Sequence, residues 1–505
     1  MSSYWLDSVK DKPSFNKLDT NIFSDVCIIG AGIFGLSSGY YLSKNGLKVS
    51  ILDENNIMEK VSGHTTAKIT SQHNIIYKYL IDSVGLKQAK QYLDANEEAI
   101  YNIKNIVQAE NIDCDFEMQD SYVYTTDDTE VKKIELENKA VNTLGFASEL
   151  VSETPLPFKI KSAIKFPNQA QFNPVKYAYG LANKIIENSG KIYTNTTVYD
   201  VQQNGENFEI KTENNTIQSK YVIIATHYPF INAPGYYFLK MYQSTSYVIG
   251  VDIGDKVFDG MYINTQSPIF SYRFANYNDK KILLVGGADH KTGSKIDLSH
   301  SYSILENEIR KFYPKCNVLY RWNTEDCITL DKIPYIGEFS NLMPNMYIGA
   351  GFNKWGMTSS NVAANIITNN ILGKINSYED VFKSTRFHPI KNSGEFGNML
   401  KESTNSIILN KFKVPEKDLE SVKNGTGEVL EINDEKVGVY KNENGEIFCV
   451  KPICTHLGCL LSWNNIDKTW DCPCHGSRFD YLGKNIYSPA IKDLEQVEII
   501  HETTN

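Results

Sequence analysis

Two short loops near the C-terminal end of the chain carry cysteine and histidine at close spacing. The first reads Cys454-Thr-His456-Leu-Gly-Cys459, and the second reads Cys472-Pro-Cys474-His475-Gly-Ser477. Each loop offers one thiolate and one imidazole, as Cys-x-His and then as Cys-x-x-His. Two cysteines and two histidines on separate loops suit a [2Fe–2S] cluster in which histidine replaces cysteine on one iron. The pattern therefore predicts the metal ligands Cys454, His456, Cys472 and His475.

A structural zinc site is the alternative, because zinc uses the same types of ligand. Zinc does not explain why each loop carries one further cysteine, Cys459 and Cys474. It also does not explain the Cys-x-His spacing of the first loop, since zinc fingers usually pair their two cysteines and their two histidines. We therefore favour the iron–sulfur interpretation.

The loop pair closely resembles that of cytochrome-bc-type Rieske domains. The resemblance implies a disulfide between Cys459 and Cys474 and a hydroxyl of Ser477 that donates to a cluster sulfur. High-potential members of the family have a second donor, a tyrosine, where this chain has Phe479. Loss of that donor leaves more charge on the sulfurs and predicts a lower potential within the class. Ser488-Pro489-Ala490 matches the proline loop that shields the cluster in this family.

A second pattern with clear chemistry lies between residues 25 and 54. Asp25–Ile29 predicts a buried strand, Leu36–Asn45 predicts a helix, and Lys48–Leu52 predicts a second strand. The turn between the first strand and the helix reads Gly30-Ala-Gly32-Ile33-Phe34-Gly35, and the second strand ends on Asp53-Glu54. This strand–glycine turn–helix–strand–acid unit is typical of dinucleotide binding, with pyrophosphate at the helix N-terminus and Asp53 on the ribose hydroxyls.

Later segments indicate FAD rather than NAD. Ser62-Gly-His64-Thr65-Thr66-Ala67-Lys68 resembles the segment of the D-amino-acid-oxidase and sarcosine-oxidase superfamily that wraps the FAD pyrophosphate and reaches the isoalloxazine. Asn195-Thr-Thr-Val198 and Tyr221-Val-Ile-Ile-Ala225-Thr226 resemble its adenine-side strand and its closing strand. Asp331-Lys-Ile-Pro-Tyr-Ile-Gly337 and Gly349-Ala-Gly351-Phe352-Asn-Lys-Trp-Gly356-Met357-Thr358 resemble its second flavin-binding block. The resemblance covers roughly residues 22–385 and implies FAD.

The segments between these blocks are expected to build the substrate side. Residues 74–110 predict one or two amphipathic helices, and the family resemblance implies an antiparallel sheet over the flavin. Thr358 stands where sarcosine-oxidising relatives have a lysine for the substrate carboxylate, which weakens the case for amino-acid oxidation. These relatives attach flavin through a cysteine shortly before the second flavin block. No cysteine stands at the equivalent place near Trp322, so we expect non-covalent flavin. Candidate catalytic residues are His64, Lys68, His227 and Arg273, the last as a possible clamp for a substrate carboxylate.

Length and composition support a chain of several domains. The 505 residues carry a net charge of −9, which gives no support to nucleic-acid binding. No apolar run approaches the roughly 20 residues that span a bilayer. The N-terminus has no signal-peptide pattern, and the first arginine is Arg273, so we expect a cytoplasmic location.

The predicted fold class is α/β: a Rossmann-type FAD-binding domain with an antiparallel-sheet substrate domain, followed by an all-β Rieske domain. We expect an FAD-dependent oxidoreductase at 1–385, with its FAD-binding part at about 22–75, 160–230 and 325–385. A linker is expected at 386–406 and the Rieske domain at 407–505.

The expected function is dehydrogenation of an amine-type small molecule. Electrons would pass from flavin to the cluster and on to a one-electron acceptor, either a protein or a quinone-like carrier. An enzyme that only reduces oxygen would not need the cluster, which favours dehydrogenase over oxidase. The alternative is an electron-transfer protein that relays electrons between protein partners without a small substrate. A Rieske oxygenase is disfavoured, because only His501 follows His475 and no site of two histidines and a carboxylate is evident.

Overall fold

The computed structural model describes residues 3–294, 298, 300–386 and 419–497. The predicted linker at 386–406 lies outside the described residues except for Arg386. The chain divides into two compact units. The first contains Met1–His227, Ser246–Asp289 and Tyr302–Phe387, and the second contains Tyr228–Thr245, His290–Ser301 and His388–Asn505. The second unit thus includes two segments that the sequence had assigned to the oxidoreductase.

The helices of the described residues are, in chain order, α1 Tyr4–Ser8, α2 Ile33–Lys44, α3 Tyr77–Ala109, α4 Val131–Thr143, α5 Pro174–Glu187, α6 Ser301–Arg310, α7 Gly356–Ile371 and α8 Glu379–Phe382. The strands are β1 Ile22–Ile29, β2 Val49–Leu52, β3 Lys68–Ile69, β4 Glu117–Thr125, β5 Glu149–Val151, β6 Ser162–Gln171, β7 Lys191–Tyr193, β8 Asp200–Asn204, β9 Asn207–Lys211, β10 Thr216–Ile224, β11 Met241–Asp252, β12 Met261–Asn264, β13 Phe270–Tyr277, β14 Lys280–Lys291, β15 Asn317–Thr329, β16 Tyr335–Glu338, β17 Met346–Ala350, β18 Thr426–Ile432, β19 Glu435–Lys441, β20 Ile447–Val450, β21 Ser462–Asn464, β22 Thr469–Asp471, β23 Arg478–Asp480 and β24 Asn485–Tyr487.

The first unit contains an eight-stranded sheet whose central strands are parallel. Its order is β16-β17-β10-β1-β2-β7, and β8 and β9 extend it as a hairpin beside β10. β1 pairs in parallel with both β2 and β10, and residues 26–29 of β1 are buried. Parallel strands buried on both faces need apolar runs, which explains the unbroken Val-Cys-Ile-Ile sequence here. Because the carboxyl ends of β1, β2 and β10 lie at one edge, the turns that follow them meet there.

A nine-stranded sheet provides the other large layer. Its order is β15-β11-β14-β13-β12-β4-β6-β3, with β5 beside β6. The described pairs are antiparallel except β12 with β4. The long helix predicted for residues 74–110 is α3, which is interrupted at Gly85, where φ is 84° and ψ is 168°. The one or two amphipathic helices expected there are two helical stretches joined at this non-helical residue.

The second unit contains the small sheets of the C-terminal region. β18, β19 and β20 form a three-stranded antiparallel sheet, and β21 to β24 form a four-stranded one. Trp470 and Phe479, which face each other across β22 and β23, are fully buried. This region is all-β, and the chain as a whole is the mixed α/β fold that the sequence predicts.

Candidate functional sites: a dinucleotide cradle and a cysteine–histidine centre

The glycine turn predicted to hold pyrophosphate lies between β1 and α2. Gly30 has φ 109°, and a Cβ atom there would overlap the carbonyl oxygen of Ala225 at the end of β10. A Cβ atom on Gly35 would overlap the carbonyl oxygen of Gly30. Gly32 is the N-cap of α2 and gives no side-chain cap to the helix. Only glycine allows this close packing of turn, helix and neighbouring strand, so the turn fits a dinucleotide phosphate group.

Asp53 ties this turn to the end of β2. Its Oδ2 accepts a hydrogen bond from the amide of Ala31 at 2.7 Å, and its Oδ1 accepts one from Asn55 at 2.8 Å. Burial raises the pKa of Asp53 to about 7, although the two amides favour the ionised form. The carboxyl group therefore positions the glycine turn. Its predicted bond to ribose stays a prediction.

The segment expected to wrap the cofactor is fixed by its carbonyl groups. Trp322 Nε1 donates to the carbonyl of His64 at 2.7 Å, and Trp5 Nε1 donates to that of Thr65 at 2.6 Å. Arg273 Nη1 donates to the carbonyls of the next two residues, Thr66 at 3.1 Å and Ala67 at 2.6 Å. Four successive carbonyl groups are thus held by three donor side chains.

Arg273 contacts backbone carbonyl groups through its guanidinium, which is not the environment expected of a substrate clamp. It is buried, and it also donates to the carbonyls of Phe172 at 3.2 Å and Phe274 at 3.0 Å. Its guanidinium lies over the Trp5 ring at 5.1 Å. These contacts commit the guanidinium to the backbone and argue against a role on a substrate carboxylate. No pattern in the sequence indicated the part played by Trp5, because α1 contains neither a motif nor a charge pattern.

The two adenine-side segments differ in their structure. Tyr221–Ile224 belongs to β10, as expected. Residues 195–198 form no strand, because Asn195 has φ 50° and the chain leaves the ladder after β7. Instead the amide of Thr196 donates to the carbonyl of Asp53 at 2.8 Å. Val198 is buried, while Ala225 and Thr226 follow directly on β10.

The second predicted flavin block forms β16, β17, a turn and α7. Phe352 in the turn packs edge-on against Phe34 of α2, with ring centroids 5.9 Å apart, which links the two glycine-rich turns. Met357 and Thr358 are buried in the first turns of α7. Asp331 has a structural partner: Arg386 donates to its two oxygens at 2.7 and 3.0 Å. This ion pair leaves the expected cofactor contact of Asp331 without support.

A buried histidine that the sequence analysis missed lies beside this block. His73 stacks on Trp355 at 5.0 Å, and its Nδ1 contacts the Tyr92 hydroxyl at 2.6 Å. Its Nε2 lies 2.9 Å from the Thr70 carbonyl and 3.2 Å from Thr358 Oγ1. Burial lowers the pKa of His73 to about 3, so the ring is neutral. No sequence signal marked it, since its partners come from three separate elements.

The remaining catalytic candidates are Lys68, His227 and His64. The first two have lowered pKa values, and the third contacts a backbone carbonyl. Lys68 Nζ donates to the Tyr262 carbonyl at 2.7 Å and also contacts Ser271 Oγ. Burial, with Arg273 nearby, lowers the pKa of Lys68 to about 7. Burial lowers the pKa of His227 to about 4, and its Nε2 is buried without a hydrogen-bond partner in the described ranges. His64 Nδ1 contacts the Lys60 carbonyl at 2.8 Å.

In the second unit, the two cysteine–histidine loops have the same backbone hydrogen bonds. In the first, the amide of Cys454 donates to the carbonyl of Cys459 at 2.8 Å, and Gly458 donates back to Cys454 at 3.0 Å. In the second, Cys472 donates to Ser477 at 2.8 Å, and Gly476 donates back to Cys472 at 2.9 Å. The two loops therefore have equivalent tight turns. Each turn begins with one of the two cysteines that are expected to bind the metal, Cys454 or Cys472. A disulfide between Cys459 and Cys474 joins them, as the family resemblance implies.

The disulfide decides which sulfurs remain for a metal. The sulfurs of Cys459, Cys472 and Cys474 lie within 4.8 Å of one another, but two of them are used by the disulfide. The thiols of Cys454 and Cys472 are both buried and are hydrogen-bonded to each other. That bond lowers the pKa of Cys454 to about 7 and raises the pKa of Cys472. Cys454 is therefore the more acidic thiol of the pair, and neither sulfur is used by the disulfide.

The two imidazoles complete a ligand set that fits the cluster. The rings of His456 and His475 lie 5.1 Å apart at 89°. Their Nδ1 atoms are buried, and neither has a hydrogen-bond partner among the residues that the structure describes. Burial lowers the pKa of His456 to about 4 and that of His475 to about 3, so both are neutral ligands. Two thiols and two unused imidazole nitrogens match the Cys2His2 ligand set of a Rieske [2Fe–2S] cluster.

Residues around these loops hold them in place. Ser477 is fully buried and accepts a hydrogen bond from the amide of Ala490 at 3.0 Å, which joins the second loop to the proline loop. Arg478, also buried, donates to Asp471 at 3.0 Å and to Asp467 at 2.7 Å. This charge network braces the β22–β23 hairpin that carries the second loop. The metal ligands themselves stay predictions.

Comparison with known proteins agrees with both sites. The family model for FAD dependent oxidoreductases (DAO) matches residues 25–370, and the Rieske [2Fe-2S] domain model matches residues 412–498. YhfW of Bacillus subtilis (strain 168), whose name describes a Rieske 2Fe-2S iron-sulfur protein, is 37% identical over 498 residues, covering 98% of this chain and 97% of its own.

Solved structures agree on the fold of the oxidoreductase part. Glycine oxidase from Geobacillus kaustophilus has a TM-score of 0.62 at 16% identity, covering 72% of this chain and 99% of its own. L-proline dehydrogenase from P. horikoshii has a TM-score of 0.61 at 18% identity, covering 74% of this chain and 98% of its own.

Within the described ranges, no helix has the length and apolar character to cross a membrane. The chain belongs to the DAO family of FAD-dependent oxidoreductases and carries a C-terminal Rieske [2Fe–2S] domain.

Proposed function

We propose that this protein is a dehydrogenase of an amine-type small molecule, acting on a CH–NH bond and passing electrons through its Rieske cluster to a one-electron acceptor. The observation that carries the proposal is the presence in one chain of a dinucleotide cradle and a Cys2His2 centre. FAD accepts two electrons as hydride, and a Rieske cluster exchanges one electron at a time. The combination converts a two-electron oxidation into one-electron steps.

The substrate class is supported by the relatives with this fold. The similar solved structures include an oxidase of glycine and a dehydrogenase of L-proline, both named for substrates with a carbon–nitrogen bond. At 16% and 18% identity they support the fold, and the substrate class for this chain is our inference from it. The acceptor is proposed to be a protein or a quinone-like carrier.

The chain offers two groups that could take a proton from an ammonium substrate. Lys68, with a pKa of about 7, is partly neutral at neutral pH. His227, with a pKa of about 4, is neutral there, and its Nε2 lacks a partner within the described ranges. A base with its pKa near the working pH is the more effective of the two. We therefore rank Lys68 ahead of His227 and expect kcat/KM to rise with pH around 7.

An anaerobic screen of amines and amino acids tests the function. The full-length protein is mixed with each compound, and the flavin absorbance and the cluster signal are followed separately in time. We expect a substrate to bleach the flavin first and to reduce the cluster second. Cluster reduction before flavin reduction would mean that electrons enter through the Rieske domain. No bleaching by any compound, with reduction by a protein donor, would favour the relay function.

A further inference from the structure

The histidine side of the cluster site is covered by a segment from within the DAO match. Residues Tyr228–Thr245 fall inside the matched range 25–370, yet they belong to the same compact unit as the Rieske residues. We call Tyr228–Thr245 the cap segment. Its central part is the short 3-10 helix Tyr237–Leu239. Its residues contact both ligand loops of the Rieske domain.

The cap segment supplies a hydrogen-bond acceptor to each ligand imidazole. Asn232 Oδ1 lies 2.6 Å from His456 Nε2. The ring of His475 is hydrogen-bonded to the backbone of Phe238. The Phe238 ring also packs edge-on against both imidazoles, with centroids 6.4 Å from His456 and 5.7 Å from His475. The two acceptors come from neighbouring elements. Asn232 begins a turn in which the amide of Tyr236 donates to its carbonyl at 2.8 Å, and Phe238 lies in the 3-10 helix that follows.

Further contacts fix the cap segment on the second ligand loop. Gln243 Nε2 donates to the carbonyl of His475 at 3.0 Å and to that of Ser488 at 2.7 Å. The amide of Thr292 donates to the carbonyl of Gln243 at 3.0 Å. The next residue, Gly293, has φ 75°, and a Cβ atom there would lie 2.5 Å from the amide nitrogen of Pro473. A side chain does not fit at this approach of His290–Ser301 to the second ligand loop. The cap segment packs equally closely, since a Cβ atom on Gly476 would lie 2.5 Å from the Cβ atom of Gln243.

These contacts determine the chemistry of His456. Its Nδ1 is the nitrogen without a partner in the described ranges, so iron would bind there and the proton would lie on Nε2. The Nε2–H group then donates to Asn232 Oδ1. Such a second partner raises the basicity of a metal-bound imidazole. A more electron-rich ligand stabilises the oxidised cluster over the reduced one and therefore lowers the reduction potential.

We propose that Asn232 is a positioning residue for the Rieske centre: it fixes the ring of His456 and holds the cluster potential down from within the oxidoreductase sequence. The inference concerns the cluster alone and is independent of the substrate.

Redox titration followed by electron paramagnetic resonance tests the proposal on full-length holoprotein. Asn232→Leu removes the acceptor and should raise the midpoint potential, whereas Asn232→Asp provides a stronger acceptor and should lower it. Asn424→Leu is the matched control, because Asn424 lies in the same unit, is exposed and donates to the Glu443 carbonyl at a long distance of 3.3 Å. It should leave the potential unchanged. Iron and sulfide content establishes that each variant carries the cluster.

Pulsed paramagnetic resonance gives a second readout that does not depend on activity. The two ligand imidazoles give separate nitrogen couplings, and Asn232→Leu should change only one of them. Equal potentials in wild type, Asn232→Leu and Asn232→Asp, each with a full cluster, would overturn the proposal. So would a shift of the same size in Asn424→Leu. If Asn232→Leu fails to retain its cluster, Asn232→Asp alone decides, through a lowered or an unchanged potential.

Discussion

Single side chains near both predicted cofactor sites have contacts that allow specific predictions. In the Rieske domain, Ser477 contacts the thiol of Cys454 as well as the amide of Ala490. Phe479 is fully buried beside Trp470 in the β22–β23 pair. The flavoprotein unit contains the buried lysine Lys68, whose two oxygen partners are a carbonyl and a hydroxyl rather than a carboxylate. The contacts of each residue lead to a prediction that one substitution can test.

The hydroxyl donors near the cluster should control its potential. Phe479→Tyr should raise the midpoint potential, because the family resemblance places its hydroxyl on a cluster ligand. Ser477→Ala should lower it, because a donor to the sulfur is lost. Redox titration of the purified proteins measures both. If both variants titrate like the wild type, the hydrogen-bond geometry of the family does not apply to this chain.

Lys68 should make the stability of the protein depend on pH. Its pKa is about 7 in the folded chain and 10.5 in the reference state. Between these values the unfolded chain binds the proton and the folded chain does not, so stability rises as pH increases from 7 to about 10. The rise in the free energy of unfolding is at most about 4 kcal/mol, and Lys68→Met should remove it.

Thermal unfolding at a series of pH values measures this effect. The matched control is Lys10→Met, at an exposed lysine near the N-terminus. A wild-type pH profile that Lys68→Met leaves unchanged would mean that the lysine stays charged in the fold. Activity profiles of the same variant test the role of Lys68 as a base: the rise of kcat/KM around pH 7 should disappear.

Elements are positioned by side chains that join backbone segments far apart in sequence. The segment at residues 64–67 has no ladder of its own: His64 ends a 3-10 helix, and the strand β3 that follows Ala67 contains only two residues. Donors from α1, β13 and β15 hold its carbonyl groups instead. A segment held in this way can present a fixed surface to a cofactor without belonging to a helix or a long strand.

Arg273 should therefore matter for FAD occupancy rather than for substrate affinity. Arg273→Met fills the same volume but leaves the Thr66 and Ala67 carbonyls without their donor, a loss of about 1–3 kcal/mol per buried group. We expect a lower flavin content and a lower melting temperature. Arg310→Met is the control, because its contacts to Pro314 and Cys316 are long, at 3.5 and 3.4 Å. Full occupancy with a raised KM would instead restore the role of a substrate clamp.

At the scale of the whole molecule, the compact unit that contains the Rieske domain also contains two segments from within the DAO match. Tyr228–Thr245 and His290–Ser301 belong to the compact unit of the Rieske domain. Removal of the C-terminal residues would expose the faces of these segments that contact the ligand loops. A cluster-free full-length variant is therefore the better test of coupling than a truncation.

Cys472→Ser should remove the cluster while leaving the flavoprotein unit intact. Substrate should still bleach the flavin, because hydride transfer needs only FAD and its pocket. Turnover with a one-electron acceptor should fall at least tenfold, equal to about 1.4 kcal/mol or more in activation free energy. Cys316→Ser, at a buried cysteine outside both sites, is the control. Unchanged acceptor turnover in Cys472→Ser would assign the cluster a structural or sensing role.

The sequence by itself determined the family, the fold class and both cofactors. It could do so because the glycine turn and the two ligand loops are local: their chemistry depends on residues within a few positions of one another. Strands such as β1 and β10 were also predictable, since a buried parallel strand needs an unbroken apolar run. The disulfide between Cys459 and Cys474 followed from the family resemblance, and the structure contains it.

The tertiary structure decided the features that depend on long-range contacts. Arg273, Trp5 and Trp322 meet at residues 64–67 from separate parts of the chain, and no local pattern encodes that meeting. Asn195 has a left-handed conformation just after β7, and residues 195–198 do not form the strand that the family resemblance implied. Asn232 lies 224 residues before His456 and reaches its ring only through the packing of the cap segment. Local sequence specifies which chemistry is available, whereas side-chain packing across distant segments specifies how it is tuned.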